Sequence, residues 1–237
     1  IMQVLCIILI LPSCKKAGLF EKVGGLLTEA RALPEYTEVL LYDKVDVVLK
    51  YDTVESLSVT CGENLLAGIE TAVKNGQLTI RDNNNFKWSR DLAARARVLI
   101  TGRRLNKISY YGAGNITSVN QWKSPSFIID SYEGVGSFNV NMDTDHMTLI
   151  IRKANADFMV TGRARHVTSY IADHGSMDLT NFSTETMGLD YRSIRRSVIN
   201  VKNDLQIKIH YTGNVYYYGD PQIRFDSYNT GTLIKAG

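Results

Sequence analysis

The chain of 237 residues has few of the residues that build disulfide frameworks and zinc sites. It contains three cysteines, and two of them, Cys6 and Cys14, lie in an apolar N-terminal segment. Cys61 is therefore alone in the remainder of the chain, where one cysteine cannot form an internal disulfide or a cysteine-based zinc site. We expect Cys61 to be a small, buried apolar residue on a strand.

An excess of charge of one sign is also absent. The 27 basic residues are interleaved with 24 acidic ones, and the net charge of +3 gives no basic stripe for a nucleic-acid partner. Only four prolines and eighteen glycines occur, so the chain is not of low complexity. Thirteen tyrosines, together with many valines, isoleucines and threonines, favour β-strands.

The main apolar run lies at the N-terminus and is too short to span a bilayer. Residues 1–14 read IMQVLCIILILPSC, and the uncharged run over 4–11 resembles the apolar region of a signal peptide. The LPSC sequence at 11–14 resembles a bacterial lipobox, in which cleavage leaves a lipidated cysteine first; the alternative is a short buried element with a chance cysteine. We therefore predict a signal-peptide remnant over 1–14 and lipidation at Cys14.

A tether is predicted to follow over residues 15–34. A multiply acylated cysteine anchors a chain firmly, since each buried methylene contributes about 0.8 kcal/mol. Lys15, in the second mature position, does not resemble an inner-membrane retention signal. We therefore expect an outer-membrane lipoprotein that contacts the membrane through its lipid anchor, on a face that the sequence does not indicate.

From Tyr36 onward the pattern changes to short runs in which apolar and polar residues alternate, as over 45–49. This period of two is typical of half-buried strands. Asn75-Gly76 predicts a tight turn between two such runs. A helix over 64–73 would be short at best, because β-branched residues and Gly68 interrupt it.

A motif of two small residues followed by an apolar one recurs along the second half of the chain. Its gaps of 17 to 22 residues match one coil of a β-solenoid and are too short for helical repeats. We therefore predict an all-β solenoid with about 17–22 residues per coil, as a single domain over 35–237. The anchors of the motif are Gly114, Gly136, Ala156, Gly175, Arg196, Gly213 and Gly231.

Glycines at the corners of the coils have a structural role in this interpretation, because they let neighbouring coils approach closely and permit positive φ. The opening instance, YGAGNIT at 111–117, could also be a phosphate loop. The residues after it favour another strand, whereas a phosphate loop requires a helix there, so we predict no nucleotide cofactor. The predicted structural corners are Gly112, Gly114, Gly134, Gly136, Gly175, Gly213 and Gly231.

Three stretches resemble one family of bacterial envelope proteins, the auto-transporter adhesins with a head GIN domain. They are ENLLAGIETAV at 63–73, NGQLTI at 75–80 and VYYYGDP at 215–221. The resemblance covers roughly 29–237 and implies a right-handed parallel β-helix, an exported lipoprotein and no established chemistry. It supplies no catalytic residues. Bulged or less closely stacked coils are expected where the family pattern has glycine and this chain has Ala154, Ala156, Asp173, Ile194 and Arg196.

Polysaccharide-cleaving enzymes on β-helices use clustered carboxylates for acid–base work or for binding calcium. The candidates here are the DTDH sequence at 143–146 and the group His166, Asp173 and His174. The first also has the composition of a polar turn in which aspartates cap their own backbone. We predict no catalytic residue, no metal and no cofactor.

Tyrosines recur near the predicted corners, where equivalent positions of stacked coils could form an exposed aromatic ladder that binds sugar rings or proteins. The alternative is that their rings pack on the flanks with the hydroxyls in water. A basic run at 192–196 could hold an anionic glycan or be a solvated corner. The predicted ligand-binding surface consists of Tyr110, Tyr111, Tyr132, Tyr170 and Tyr191.

These observations predict a non-enzymatic envelope lipoprotein, an adhesin that presents a β-solenoid surface to glycan or protein ligands. Two alternatives stay open. One is a carbohydrate-active enzyme built on a β-helix. The other is a structural envelope protein that forms homo-oligomers through its end coils, because open sheet edges invite pairing.

Overall fold

A computed structural model describes residues 24–84 and 95–236, so the predicted signal peptide and Cys14 lie outside the described residues. The described residues are 67% strand and 3% helix, and the strands stack into a β-solenoid of about six turns. The predicted all-β solenoid is therefore confirmed. Within the described residues, no helix has the length and apolarity needed to cross a bilayer.

The described chain forms eighteen strands and one 3₁₀ helix, Glu63–Gly68. The strands are β1 Leu26–Ala30, β2 Glu38–Leu41, β3 Val45–Tyr51, β4 Ser56–Gly62, β5 Ile69–Lys74, β6 Gln77–Asp82, β7 Ala96–Gly102, β8 Lys107–Tyr110, β9 Ile116–Ser118, β10 Trp122–Ser131, β11 Val135–Ile151, β12 Asn155–Asp173, β13 Ser176–Asp178, β14 Phe182–Ser193, β15 Ser197–Ile209, β16 Val215–Tyr218, β17 Gln222–Ser227 and β18 Leu233–Lys235.

The coil repeat is clearest where β11 and β12 run side by side in parallel. Phe138 pairs with Phe158 and Ile151 with Ile171, so equivalent positions lie 20 residues apart. Alternate residues point inward and stack over their equivalents, as in the edge-to-face contact of Phe138 with Phe158 at 4.8 Å. Because a single coil leaves its inner row open to water, the core exists only through stacking.

The stacking order differs from the chain order at the N-terminal end. Strand β2 pairs with β6 on one side and β8 on the other, and β3 likewise lies between β7 and β9. The coil over 38–51 is therefore inserted between the coils that begin at Gln77 and Lys107. The coils at this end therefore do not stack in the order of the sequence, because the backbone hydrogen bonds between coils are the same whichever coils pair.

An antiparallel cap covers the N-terminal end of the solenoid. Strand β1 pairs with β4 from Leu26 opposite Gly62 to Ala30 opposite Ser58, and β4 pairs in turn with β7. The predicted tether over 15–34 is therefore wrong from Leu26 onward, since this segment is hydrogen-bonded into the sheet.

A hairpin completes the cap, with β5 antiparallel to β6. Its turn is Asn75-Gly76, with φ of 53° and 74°. Both residues have the left-handed backbone of a two-residue hairpin turn, so the predicted turn is confirmed. Within the segment over 64–73, the 3₁₀ helix ends at Gly68 and β5 begins at Ile69, so the helix there is short, as predicted.

The seven predicted glycine corners lie where one coil crosses closely over the coil below. A Cβ at Gly114 would lie less than 3.0 Å from the carbonyl oxygen of Val45, and one at Gly136 would be equally close to that of Gly114. None of the seven has a positive φ, so that part of the expectation is wrong. Close approach alone requires glycine at these corners.

Two further expectations concern single positions. Cys61 is buried on β4, as predicted, and burial raises the pKa of its thiol to about 11, so the thiol is protonated at neutral pH. Loose stacking at Ala156 is not observed, since Ala156 is fully buried and in register with Gly136. A register shift occurs instead between β14 and β15, near Thr184.

Candidate functional site

One outward-facing column of side chains runs along the solenoid at a corner of the coils. Each member follows an inward-facing residue. Along most of the column the backbone amide of the member donates to the preceding coil in the stack, as Tyr111 does to the Leu41 carbonyl at 2.8 Å and Tyr132 to the Tyr110 carbonyl at 2.9 Å. We name it the corner column. In stacking order its members are Arg81, Tyr42, Tyr111, Tyr132, Arg152, Ala172, Arg192, His210 and Tyr228.

The first five members form one continuous stack. The ring centroids of Tyr42 and Tyr111 are 5.0 Å apart and those of Tyr111 and Tyr132 are 5.3 Å apart, with the rings nearly parallel. The Arg81 guanidinium lies 4.0 Å from the Tyr42 centroid, and that of Arg152 lies 4.9 Å from the Tyr132 centroid. Cations therefore cover both ends of the three-ring stack.

This stacking decides which parts of the rings a ligand can reach. Both faces of Tyr42, Tyr111 and Tyr132 are covered by a neighbour, so the stack presents ring edges and hydroxyls to solvent. Tyr132 is 41% exposed. Burial, followed by the neighbouring Tyr42, raises the pKa of Tyr111 further above neutral pH, where its hydroxyl is protonated and can donate a hydrogen bond. A sugar ring therefore cannot stack face-on within the ladder.

Arg152 is held in a fixed position by an acidic partner. Its Nε and Nη2 donate to the two carboxylate oxygens of Asp130 at 3.1 and 3.2 Å. This bidentate pairing raises the pKa of Arg152 and orients its guanidinium over Tyr132. Arg192 is paired in the same way with Asp190 two coils further along.

Two of the five predicted surface tyrosines are inside the solenoid. Tyr110 and Tyr191 are both 0% exposed, so the prediction of an exposed position is wrong for them. The Tyr110 hydroxyl donates to the carbonyls of Gly114 at 2.6 Å and Val135 at 3.1 Å. The Tyr191 hydroxyl makes the equivalent bond to the Arg195 carbonyl at 2.6 Å. Both side chains therefore hold the backbone of a corner in place by hydrogen bonds made from inside the solenoid.

The other three predicted tyrosines lie on the outer face. Tyr111 and Tyr132 belong to the corner column, whereas Tyr170 lies in the adjacent outward column, where the Arg192 guanidinium is 5.7 Å from its ring centroid. The sequence reasoning missed Tyr42 and Arg152. For Tyr42 a signal existed, because it follows Leu41 in an alternating strand and so must point outward.

The candidate acidic residues form ion pairs with arginines. Asp143 accepts a bidentate hydrogen bond from Arg163, and Asp145 pairs with Arg165 at 3.2 Å. They line a depression of about 260 Å³ together with Glu185. The Arg163 hydrogen bond lowers the pKa of Asp143, the opposite of the raised pKa that a general acid needs.

The remaining candidates do not meet at one point. His146 stacks on His166 with centroids 5.0 Å apart, whereas Asp173 is the last residue of β12, with φ of 55°. The segment 143–146 lies within the continuous strand β11, so the predicted turn there is wrong. Across residues 24–84 and 95–236, no three acidic, histidine or cysteine side chains are grouped to hold a metal ion.

The fold and the corner column define a class, that of parallel β-solenoid domains with an ordered aromatic and cationic outer edge. The chain belongs to the family described as "Putative auto-transporter adhesin, head GIN domain", whose profile matches residues 35–221. None of the curated proteins compared with the chain matches it.

Solved structures share this fold. A crystal structure described as a putative adhesin from Bacteroides fragilis NCTC 9343 superposes with a TM-score of 0.80 at 18% identity, covering 90% of this chain and 97% of that one. Another adhesin so described, from Parabacteroides distasonis ATCC 8503, gives 0.65 at 15% identity, covering 90% and 98%. A structure from the same organism described as a putative lipid binding protein gives 0.63 at 16% identity, with the same coverage. At these identities the likeness shows the fold alone.

Proposed function

We propose that the protein is a non-enzymatic adhesin of the cell envelope whose corner column binds a polar, hydroxyl-rich polymer, a glycan. The observation that supports this proposal is the stack of five side chains from Arg81 to Arg152. It places three phenol rings along the corner column, with their centroids 5.0 and 5.3 Å apart. The descriptions of the family and of the structural relatives as adhesins support the binding role.

The chemistry of the stack favours hydrogen bonding along its edge over face-on stacking. The phenol hydroxyls both donate and accept, and the two guanidiniums donate only, so the edge complements hydroxyl and carboxylate groups of a sugar chain. An extended ligand lying along the column would contact several coils at once. Because the rings are already stacked and Arg152 is held by Asp130, little side-chain entropy is lost on binding.

We expect Tyr132→Ala and Arg152→Ala each to weaken glycan binding about tenfold, as loss of a central aromatic or arginine anchor typically does. The measurement is a glycan array with the soluble chain, followed by titration of the best ligand. Tyr218→Ala is the matched control, since Tyr218 is also partly exposed but lies outside the corner column.

Equal binding by all three variants would show that the ligand uses another face. Cleavage of the bound glycan, lost in Asp145→Ala, would support the enzyme alternative and contradict the proposal. Binding of a protein and of no glycan would keep the adhesin role but change the ligand class.

We also propose that Cys14 carries the lipid anchor and that the domain is tethered to the outer membrane. The LPSC sequence at 11–14 supports this. Cys14→Ser should abolish labelling by a palmitate analogue, because the thiol is the site of lipid transfer, whereas Cys6→Ser in the same apolar run should leave labelling intact. Labelling that persists in Cys14→Ser would refute the assignment.

A further inference from the structure

The C-terminal end of the solenoid exposes an inner row that is buried everywhere else. Ile223 and Phe225 are the last members of two inward columns, and each is 39% exposed. Their equivalents one coil earlier, Leu205 and Ile207, are 1% and 0% exposed. Among the described residues, β17 pairs with β15 alone and its other edge has no partner. Apolar side chains and a free strand edge therefore coincide here.

The direction of the peptide groups on this edge can be assigned. The Tyr228 amide donates to the Ile209 carbonyl on β15 at 2.9 Å. Peptide groups alternate in direction along a strand, so Arg224 and Asp226 also direct theirs toward β15. Ile223, Phe225 and Ser227 direct their N–H and C=O groups to the open edge. Three residues of β17 are thus ready to pair with another strand.

We propose that this edge is the interface of a two-fold symmetric dimer, in which β17 pairs antiparallel with β17 of a second copy and Phe225 lies opposite Phe225. In this register Phe225 exchanges two hydrogen bonds with its own equivalent. Ile223 does the same with Ser227 of the second copy, and Ser227 with Ile223. All three outward-directed residues are then satisfied, and the inner rows of the two copies join into one core.

The charges select this register over its neighbours. With Phe225 on the axis, Arg224 lies opposite Asp226 of the second copy, and the symmetry makes this attractive pair twice. A shift of two residues one way places Arg224 opposite Arg224. A shift the other way places Asp226 opposite Asp226. Both shifts bring like charges together, which is destabilising.

The N-terminal end is a poorer partner for this edge. Its outermost strands, β5 and β1, belong to the antiparallel cap, and β5 carries Glu70 and Lys74 along the exposed side. Charges on an edge strand discourage further pairing. A contact between unlike ends would also generate an open filament, whereas β17 paired with itself closes as a dimer.

The experiment is sedimentation velocity over a wide concentration range, using the soluble chain from residue 15 onward, which contains every described residue. Arg224→Asp and Asp226→Arg should each weaken dimerisation about tenfold or more, because each turns two attractive pairs into repulsive ones. The double variant carrying both changes should restore the dimer. Lys153→Asp, which makes the same charge change away from the edge, is the control.

Restoration by the double variant supports the proposed register specifically, since a general charge effect would not be reversed by swapping the two residues. The proposal is overturned by a chain that stays monomeric at every concentration, by a dimer that ignores both single reversals, or by open-ended growth of the oligomer with concentration. A thermal melt of each variant at a dilute, monomeric concentration verifies that the coil itself stays folded.

Discussion

Gly114→Ala should lower the free energy of unfolding by about 3 kcal/mol, near the upper end of the cost of overpacking a closely packed site. The added methyl group would lie less than 3.0 Å from the Val45 carbonyl oxygen, a backbone atom that cannot move aside as a side chain could. To remove this clash, the coil of β9 must move away from the coil of β3. That movement weakens the backbone hydrogen bonds between the two strands and the packing of their inner faces. Urea unfolding followed by circular dichroism measures the loss.

Gly188→Ala is the matched control for this prediction. Gly188 also lies in a coil, but a Cβ there would meet no atom within 4 Å, and its φ is not positive. We expect a change within about 0.5 kcal/mol, of either sign, as for ordinary surface substitutions. Similar losses at Gly114 and Gly188 would show that glycine itself, and not the approach of the coils, matters at the corner.

Tyr110→Phe should cost about 2 kcal/mol, although it removes a single oxygen atom. The Tyr110 hydroxyl is the donor to the carbonyls of Gly114 and Val135, which belong to two successive coils. Without it these two acceptors lose that bond at the corner, while the ring keeps its edge-to-face contact with Phe138 at 5.2 Å. The same change at Tyr191 should have the same sign.

Tyr132→Phe is the control, because its hydroxyl is on the outer face where water can replace a lost partner, and its stability should change little. The pH dependence gives a second check. Burial raises the pKa of Tyr110 above its ordinary value of 10.0, so above that pH the unfolded chain loses this proton and the folded chain keeps it. The wild type should therefore lose stability relative to Tyr110→Phe as pH rises. If the stability difference between wild type and Tyr110→Phe instead grew with pH, the buried position of the Tyr110 hydroxyl would be contradicted.

The buried and exposed tyrosines show how far sequence reasoning reaches. Tyr110 and Tyr111 are identical residues at successive positions, so alternation requires that one faces inward without stating which. Ile108, two residues before Tyr110 on the same strand, was the available signal. It is an apolar residue whose side chain points to the same face as that of Tyr110, which places Tyr110 on the inner face. The stack with Tyr42 could not be predicted from spacing, because Tyr42 belongs to a coil that is inserted out of chain order.

The sequence alone determined the β class, the coil length and the need for glycine at the corners. These follow from local properties: the period of two within strands, the period of about twenty between coils, and the small size of residues such as Gly114. The tertiary structure decided the stacking order, the antiparallel cap formed by β1 and the open edge of β17. These features depend on which strands pair with each other. The backbone hydrogen bonds of a pair are the same whichever strands form it, so the local sequence of a strand does not specify its partner.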